Sequence, residues 1–318
     1  MVFIKVTSIF LLILLGFASE KAGLTPRESS KYLSNIVVYI SAPCAILHSM
    51  SEQELNRETA ASLVIVCALF ILLIAFSWFI AFLHTKLFRV ESHDRGIYQN
   101  MIIFPNNGFM GMPISMAIYG SQGFFLMVAA NIFAPPVMYT FGIWNMLRHG
   151  GVGAKFSPKQ FINVPVIASF AGLAIFFFRI PLPDFLDSSI SIAGDMMTPL
   201  CMMVIGIQLT QSSVGSIIKN FRLVTASFVK IILLPLLVFA LLLPFGLIHG
   251  ANGPLLDPLI IAIAVLNAMM PTAALTVALS EMYGCNVKLA SEGAFLTTLF
   301  SIATIPLTAA LVNHLLGI

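Results

Sequence analysis

The sequence predicts an all-α membrane protein. Ten transmembrane helices form two inverted five-helix repeats, with helices 4 and 9 broken and crossed. Three observations lead there. Of 318 residues, 59% are hydrophobic and 9% charged, with a mean hydropathy of +0.99, whereas soluble domains carry about 25% charged residues. Basic residues gather in alternate loops, and short motifs recur in matched positions of the two halves. The formal charge of +3 is small, so no polyanionic partner such as nucleic acid is expected.

Crossing about 30 Å of hydrocarbon takes roughly 20 apolar residues. Apolar runs between charged or Gly/Pro punctuation give ten segments: 2–18, 32–50, 60–85, 97–119, 122–147, 162–179, 189–209, 221–247, 255–281 and 290–316. Segment 1 imitates a secretory signal, with Lys5 ahead of VTSIFLLILLGFAS and small residues at Ala18 and Ser19. It is read as a membrane helix because cleaving it would leave segment 6 without a partner in the other half. Segment 2 carries Pro43 in SAPCAILHSM, and segment 7 carries Pro199 in MTPLCMMVIG. Segment 4 contains FPNNGFMGMPI, residues 104–114, which puts Pro105, Asn106, Asn107, Gly108, Gly111 and Pro113 into one stretch. Its counterpart in segment 9 is VLNAMMPTAAL, with Asn267, Pro271 and Thr272. Segment 5 holds Asn131 ahead of Pro135 and Pro136.

The loops after odd-numbered segments hold twelve basic residues: Lys21, Arg27, Lys31, Lys86, Arg89, Arg95, Arg148, Lys155, Lys159, Lys219, Arg222 and Lys288. Those after even-numbered segments hold Arg57 and Arg179 alone. Basic loops stay cytoplasmic, so both termini are expected on the non-cytoplasmic side of a multi-pass integral membrane protein. Segments 4 and 9 end alike, in AIYG and SEMYG. Together with the paired prolines Pro43 and Pro199, this points to a duplicated unit. Residues 1–147 form the first repeat, 148–161 a short cytoplasmic linker and 162–318 the second repeat. An odd number of crossings per unit turns the second copy upside down, an architecture of many secondary transporters.

In such proteins substrate sits near the midplane, where paired helices are discontinuous. Proline removes a backbone donor and clashes with the preceding turn. The freed groups persist only against protein or a water-filled cavity. Glycines let two broken chains approach closely, and the amino terminus of a half-helix favours an anion. Asn106, Asn107 and Asn267 add neutral donors and acceptors. Aligning the Tyr-Gly endings puts Pro271 opposite Asn107. The candidate substrate-binding set is therefore Asn106, Asn107, Gly108, Gly111, Asn267, Pro271, Thr272 and Asn131, with Pro105, Pro113, Pro43 and Pro199 as helix breaks. A single membrane Asn also serves to bond helices together, and for Asn131 that alternative stands beside the cavity reading.

Charged residues inside a span are costly and usually functional. Lys230, in SFVKIILLPLL, is either a snorkelling lysine or a counter-charge for a carboxylate. Asp195 and Glu292 are either solvated helix ends or carriers of a proton or cation. The cysteines Cys44, Cys67, Cys201 and Cys285 show no CxxC pairing and no metal-site spacing. No metal or other cofactor is expected. No HExxH, GxSxG or GxxxxGK[ST] pattern is present, so neither an enzyme nor an ATP-driven pump within this chain is expected.

The stretches PNNGFMGMPISMAIYG, MTPLCMMVIGIQL and PVIASFAGLAIFFFRIPLPDFL resemble the auxin efflux carrier family, which includes plant PIN proteins and bacterial malate or malonate permeases. The resemblance covers essentially the whole chain. It implies ten helices, a crossover of helices 4 and 9 and a fold similar to sodium–bile acid symporters. It further implies a scaffold of helices 1, 2, 6 and 7 and a moving unit of helices 3–5 and 8–10, with Asn106 touching substrate. Long plant PIN proteins carry a large hydrophilic loop between the halves; here the linker is short, which argues against regulation through such a loop.

The expected function is transport of a small organic anion such as malate, malonate or an auxin-like acid, by a secondary carrier or facilitator working as an elevator. The alternatives are a membrane sensor that keeps the carrier fold and a passive channel. The expected partners are the anion and the bilayer; a second copy of the chain and a coupling proton or sodium ion are compatible with the sequence without being required by it.

Overall fold

The computed structural model describes residues 2–150, 164–210, 217, 219–250, 253–254 and 256–318. Beyond Gly150 the expected linker 148–161 lies outside the described residues. Each of the ten apolar segments contains helix among the described residues, segments 4 and 9 in separate pieces. Among the described residues the one strand pair is a two-residue antiparallel ladder, His249–Gly250 with Gly253–Pro254.

Among the described residues six helical stretches are long and apolar enough to cross a membrane: Ser29–Ser51, Arg57–Leu87, Asn107–Asn131, Asp184–Leu209, Phe221–Leu247 and Val287–Leu316. Val164–Phe178 and Pro258–Met269 are apolar but shorter. The difference from ten has local causes. Segments 4 and 9 are interrupted, and Asn107–Asn131 runs across the expected gap between segments 4 and 5. It bends there at Gly120, whose φ of 70° and ψ of −160° suit glycine and strain any other residue.

Two of the prolines expected to break helices, Pro43 and Pro113, are absorbed without a break, and so is Pro235. Widened π turns at Val37–Ser41, Asn107–Gly111 and Val229–Leu233 each end two residues before a proline: Pro43, Pro113 and Pro235. A helical proline clashes with the carbonyl four residues earlier. Those carbonyls, on Tyr39, Phe109 and Ile231, fall inside the widened turns. Pro43 therefore lies in the first turn of Ala42–Ser51, in a helix that continues from Ser29. Pro199 lies in the first turn of Met197–Leu209, after the turn at Met196.

The chain forms two compact units, each drawing on both halves of the sequence. The first comprises Met1–Cys67, Gly108–Ile132 and Pro158–Gln211. In it Val2–Lys21 packs along Met197–Leu209 through glycines. A Cβ on Gly16 would strike the Met203 carbonyl, and one on Gly206 the Ile13 carbonyl. Small residues allow this close backbone approach, the usual basis of helix association in membranes. Gly194 meets the Ala45 backbone in the same way, with a built Cβ 2.9 Å from Ala45 Cα.

The second unit comprises Ala68–Asn107, Phe133–Ser157 and Ser212–Ile318. Its core holds a buried amide chain. Asn100 donates to the Gly142 carbonyl at 2.8 Å and accepts from the Asn145 amide at 2.9 Å. Asparagine caps start two of its helices: the Asn220 and Asn286 side chains accept from Leu223 N–H at 3.2 Å and Leu289 N–H at 3.1 Å. Such caps contribute about 1 kcal/mol each.

Candidate functional site

The second unit contains both helix interruptions. Arg95–Ile103 ends at Phe104 (φ −94°, ψ 114°) and Pro258–Met269 ends at Met270 (φ −63°, ψ 141°). Each of these residues precedes a proline, Pro105 or Pro271, and a residue before proline is driven out of the α region. The two extended pieces then pair with one another. Asn106 N–H donates to the Pro271 carbonyl at 2.8 Å, and Ala273 N–H donates to the Phe104 carbonyl at 3.0 Å. They flank an antiparallel bridge between Pro105 and Thr272. Asn106 rather than Asn107 thus stands opposite Pro271, because Pro105 has no N–H and Asn106 supplies the first donor after the break.

The remaining broken ends are closed by side chains. Thr272 Oγ1 donates to the Met101 carbonyl at 3.1 Å, and Thr272 N–H donates to Thr297 Oγ1 at 3.1 Å. Thr297 in turn donates to the Gly293 carbonyl at 2.8 Å. Thr272 is buried, and its hydroxyl proton is committed to the backbone. Thr297 carries no signal in the sequence: it is one hydroxyl among several in an apolar run, 25 residues beyond its partner.

Beside the paired interruptions lie polar groups without partners. Asn107 is 1% exposed, and neither its Nδ2 nor its Oδ1 makes a hydrogen bond; Asn267 is 4% exposed, and its Nδ2 makes none. A buried donor or acceptor left unmade costs about 1–3 kcal/mol. Lys230 sits in the widened turn Val229–Leu233 and is 1% exposed, which removes the snorkelling reading. Among the described residues no carboxylate pairs with it. Lys230, Asn267, Pro105, Ile103 and Ser77 line a small cavity with room for about one water, with Phe70, Leu73, Ile74 and Ala268 completing its walls.

The structure thus brings Pro105, Asn106, Pro271 and Thr272 together through the backbone, and Pro105, Lys230 and Asn267 around one cavity. Glu292 stands elsewhere in this unit, 3.9 Å from Lys288 one helical turn away. Gly108, Gly111, Pro113, Asn131, Pro43, Pro199 and Asp195 belong to the first unit. There Gly108 has no atom within 4 Å of a built Cβ, so packing does not require a glycine at that position. Asp195 is exposed and lines a separate hollow with His48, Ser49 and Glu52. Among the described residues no group of three or more His, Cys, Asp and Glu side chains is placed to hold a metal ion.

Interrupted helices whose freed backbone groups are met inside protein, in a chain this apolar, are a feature of many membrane transport proteins. Residues 1–309 match the sequence model of the membrane transport protein family, and the chain belongs to that family, the auxin efflux carriers. It is similar to an uncharacterized transporter of Methanocaldococcus jannaschii, at 24% identity over 94% of this chain and 95% of that one. A second uncharacterized transporter, from Methanothermobacter thermautotrophicus, is 22% identical over 95% of each chain. A candidate malonate transporter of Rhizobium meliloti is 23% identical over 93% of this chain and 91% of its own length.

Proposed function

We propose that the protein is a secondary carrier for a small organic anion, a carboxylate of the malonate, malate or auxin-like class. The observation that carries this reading is Lys230: a buried lysine without a carboxylate partner, sharing a cavity with the unpartnered amide of Asn267. A charged side chain at membrane depth costs several kcal/mol unless it is paired, and an incoming carboxylate supplies the missing counter-charge. Asn267 Nδ2 and the Asn107 amide then offer donors to the carboxylate oxygens, and charge-assisted hydrogen bonds are the stronger kind. Pro105, Asn106, Pro271 and Thr272 frame the site. The half-helix Ala274–Met282 begins beside them with its amino end, the end that favours negative charge. The name of the Rhizobium relative, which refers to malonate, agrees with this class of cargo.

In this reading the chain crosses the membrane ten times as two inverted repeats, residues 1–147 and 162–318. Interruptions and prolines at matched positions of the two halves support that arrangement. Movement of one unit of the elevator type carries the site between the two sides.

The test is uptake by purified protein in liposomes, over malonate, malate, an indole acid and an organic cation, with and without sodium and proton gradients. Saturable carboxylate uptake is expected. Asn106→Ala should reduce it about ten- to hundredfold, the value of one or two hydrogen bonds to a charged ligand, at unchanged protein abundance. Wild-type uptake by Asn106→Ala, or preference for the cation, refutes the anion site. Ligand binding without flux would identify a sensor, and flux that does not saturate a channel.

A further inference from the structure

A second hollow of about 450 Å³ lies in the same compact unit, and none of its lining residues borders the small cavity beside Lys230. Four cations line it. Lys86 comes from the last turn of Arg57–Leu87, Arg89 from just beyond it, Arg95 from the first turn of Arg95–Ile103 and Arg148 from the last turn of Ile143–His149. Among the described residues none of the four pairs with a carboxylate. The nearby acids are engaged elsewhere: Glu91 meets Arg222 at 3.5 Å, and Asp94 meets His93 at 3.5 Å and Asn286 at 3.2 Å. His149, at the rim, has its pKa lowered by burial and then by Arg148 and Arg95, as expected where positive charge collects.

The backbone at Arg89 points the same way. Val90 N–H donates to the Thr85 carbonyl at 3.0 Å, closing the helix end, and Arg89 adopts a φ of 48°. This left-handed position is usually glycine, and an arginine there is strained. The guanidinium is held at the hollow in spite of local backbone preference.

Apolar groups adjoin the cations. Trp78, Phe82 and Trp144 line the hollow and are themselves exposed. The Arg148 guanidinium lies 5.2 Å from the centre of the Trp144 ring. Tryptophan beside basic residues is the pattern of the membrane–water interface, and this end of segments 3, 4 and 5 is the one that the positive-inside rule assigns to the cytoplasm. A soluble anion would use the cations alone; a phospholipid would use both surfaces.

We infer that this hollow binds the headgroup of an anionic glycerophospholipid, with the phosphate among Lys86, Arg89, Arg95 and Arg148 and the acyl chains along Trp78, Phe82 and Trp144. Basic pockets at the cytoplasmic ends of membrane helices suit such headgroups, and each cation near the surface adds about fivefold in affinity.

The experiment compares retention of phosphatidylglycerol and phosphatidylcholine by detergent-solubilised full-length protein, read by native mass spectrometry. Wild type should retain the anionic lipid preferentially. Arg89→Gly removes the charge and relieves the backbone, so it should lower that preference about fivefold while Tm stays the same or rises. Arg89→Gly with Lys86→Gln should lower it roughly twentyfold. Equal retention of the two lipids by wild type, or unchanged preference in the double variant, overturns the proposal. So does full displacement of phosphatidylglycerol by millimolar inorganic phosphate, which would mark a site for soluble anions.

Discussion

Lys230 lines the small cavity and Thr272 closes the interrupted backbone, and their substitutions separate ligand binding from support. Lys230 is buried beside apolar groups and lacks a carboxylate partner. Replacing a buried charge by an apolar group of similar volume is often neutral or stabilising by about 1–4 kcal/mol. Lys230→Met should therefore leave Tm unchanged or raise it while reducing carboxylate uptake at least tenfold. Thermal unfolding in detergent and liposome uptake read the two effects on one preparation. A variant that loses stability and uptake together would make Lys230 a structural residue. Thr272→Val keeps the volume and removes the donor to the Met101 carbonyl and the hydroxyl at the bridge. It should cost about 1–3 kcal/mol of stability, the penalty of a buried group left unpaired. The sequence marked both residues, as a charge inside an apolar run and as a hydroxyl after a proline. It left the role of Lys230 between interface and site, because depth within a helix depends on how the whole segment lies.

At the scale of elements, proline has two outcomes here, and only one was readable. Pro105 and Pro271 push Phe104 and Met270 into extended conformation, a local steric effect visible in any X-Pro pair. Pro43, Pro113 and Pro235 leave the helix running and widen the turn before them, which needs neighbouring helices to favour one turn over a break. That second outcome matters most in segment 8, where the widened turn Val229–Leu233 is the one that carries Lys230. Such turns inside α-helices are frequent at functional sites. Pro235→Ala restores an N–H and removes the clash with the Ile231 carbonyl, so the turn can close to α geometry. A closed turn shifts the helical register by one residue, about 100° of rotation, and takes Lys230 away from Asn267. The variant should retain its thermal stability and lose most of its uptake. Wild-type uptake would show that packing, and not Pro235, sets the turn.

At the scale of the molecule, the division by repeat and the division by contact differ. The repeats we propose divide the chain at residues 148–161, a property of order along the sequence. The compact units interleave the halves, because packing partners such as Gly16 and Met203 lie far apart in the chain and meet through backbone proximity that no local pattern announces. The orientation we expect in the membrane rests, by contrast, on the loops. Twelve basic residues follow odd-numbered segments and two follow even-numbered ones, and positive loops resist translocation. Single cysteines at Glu54 and Lys288, in a chain whose four native cysteines have been replaced, give opposite expectations. Glu54 is exposed, after an even-numbered segment; the Lys288 side chain is 83% exposed, after an odd-numbered one. Glu54→Cys should react with an impermeant thiol reagent applied to intact cells, and Lys288→Cys should react only after the membrane is opened. Because both sites are exposed, failure to label reports the side of the membrane and not burial. The reverse pattern would invert the chain and would place Lys86, Arg89, Arg95 and Arg148 at the outer surface, away from the anionic leaflet that the headgroup site requires.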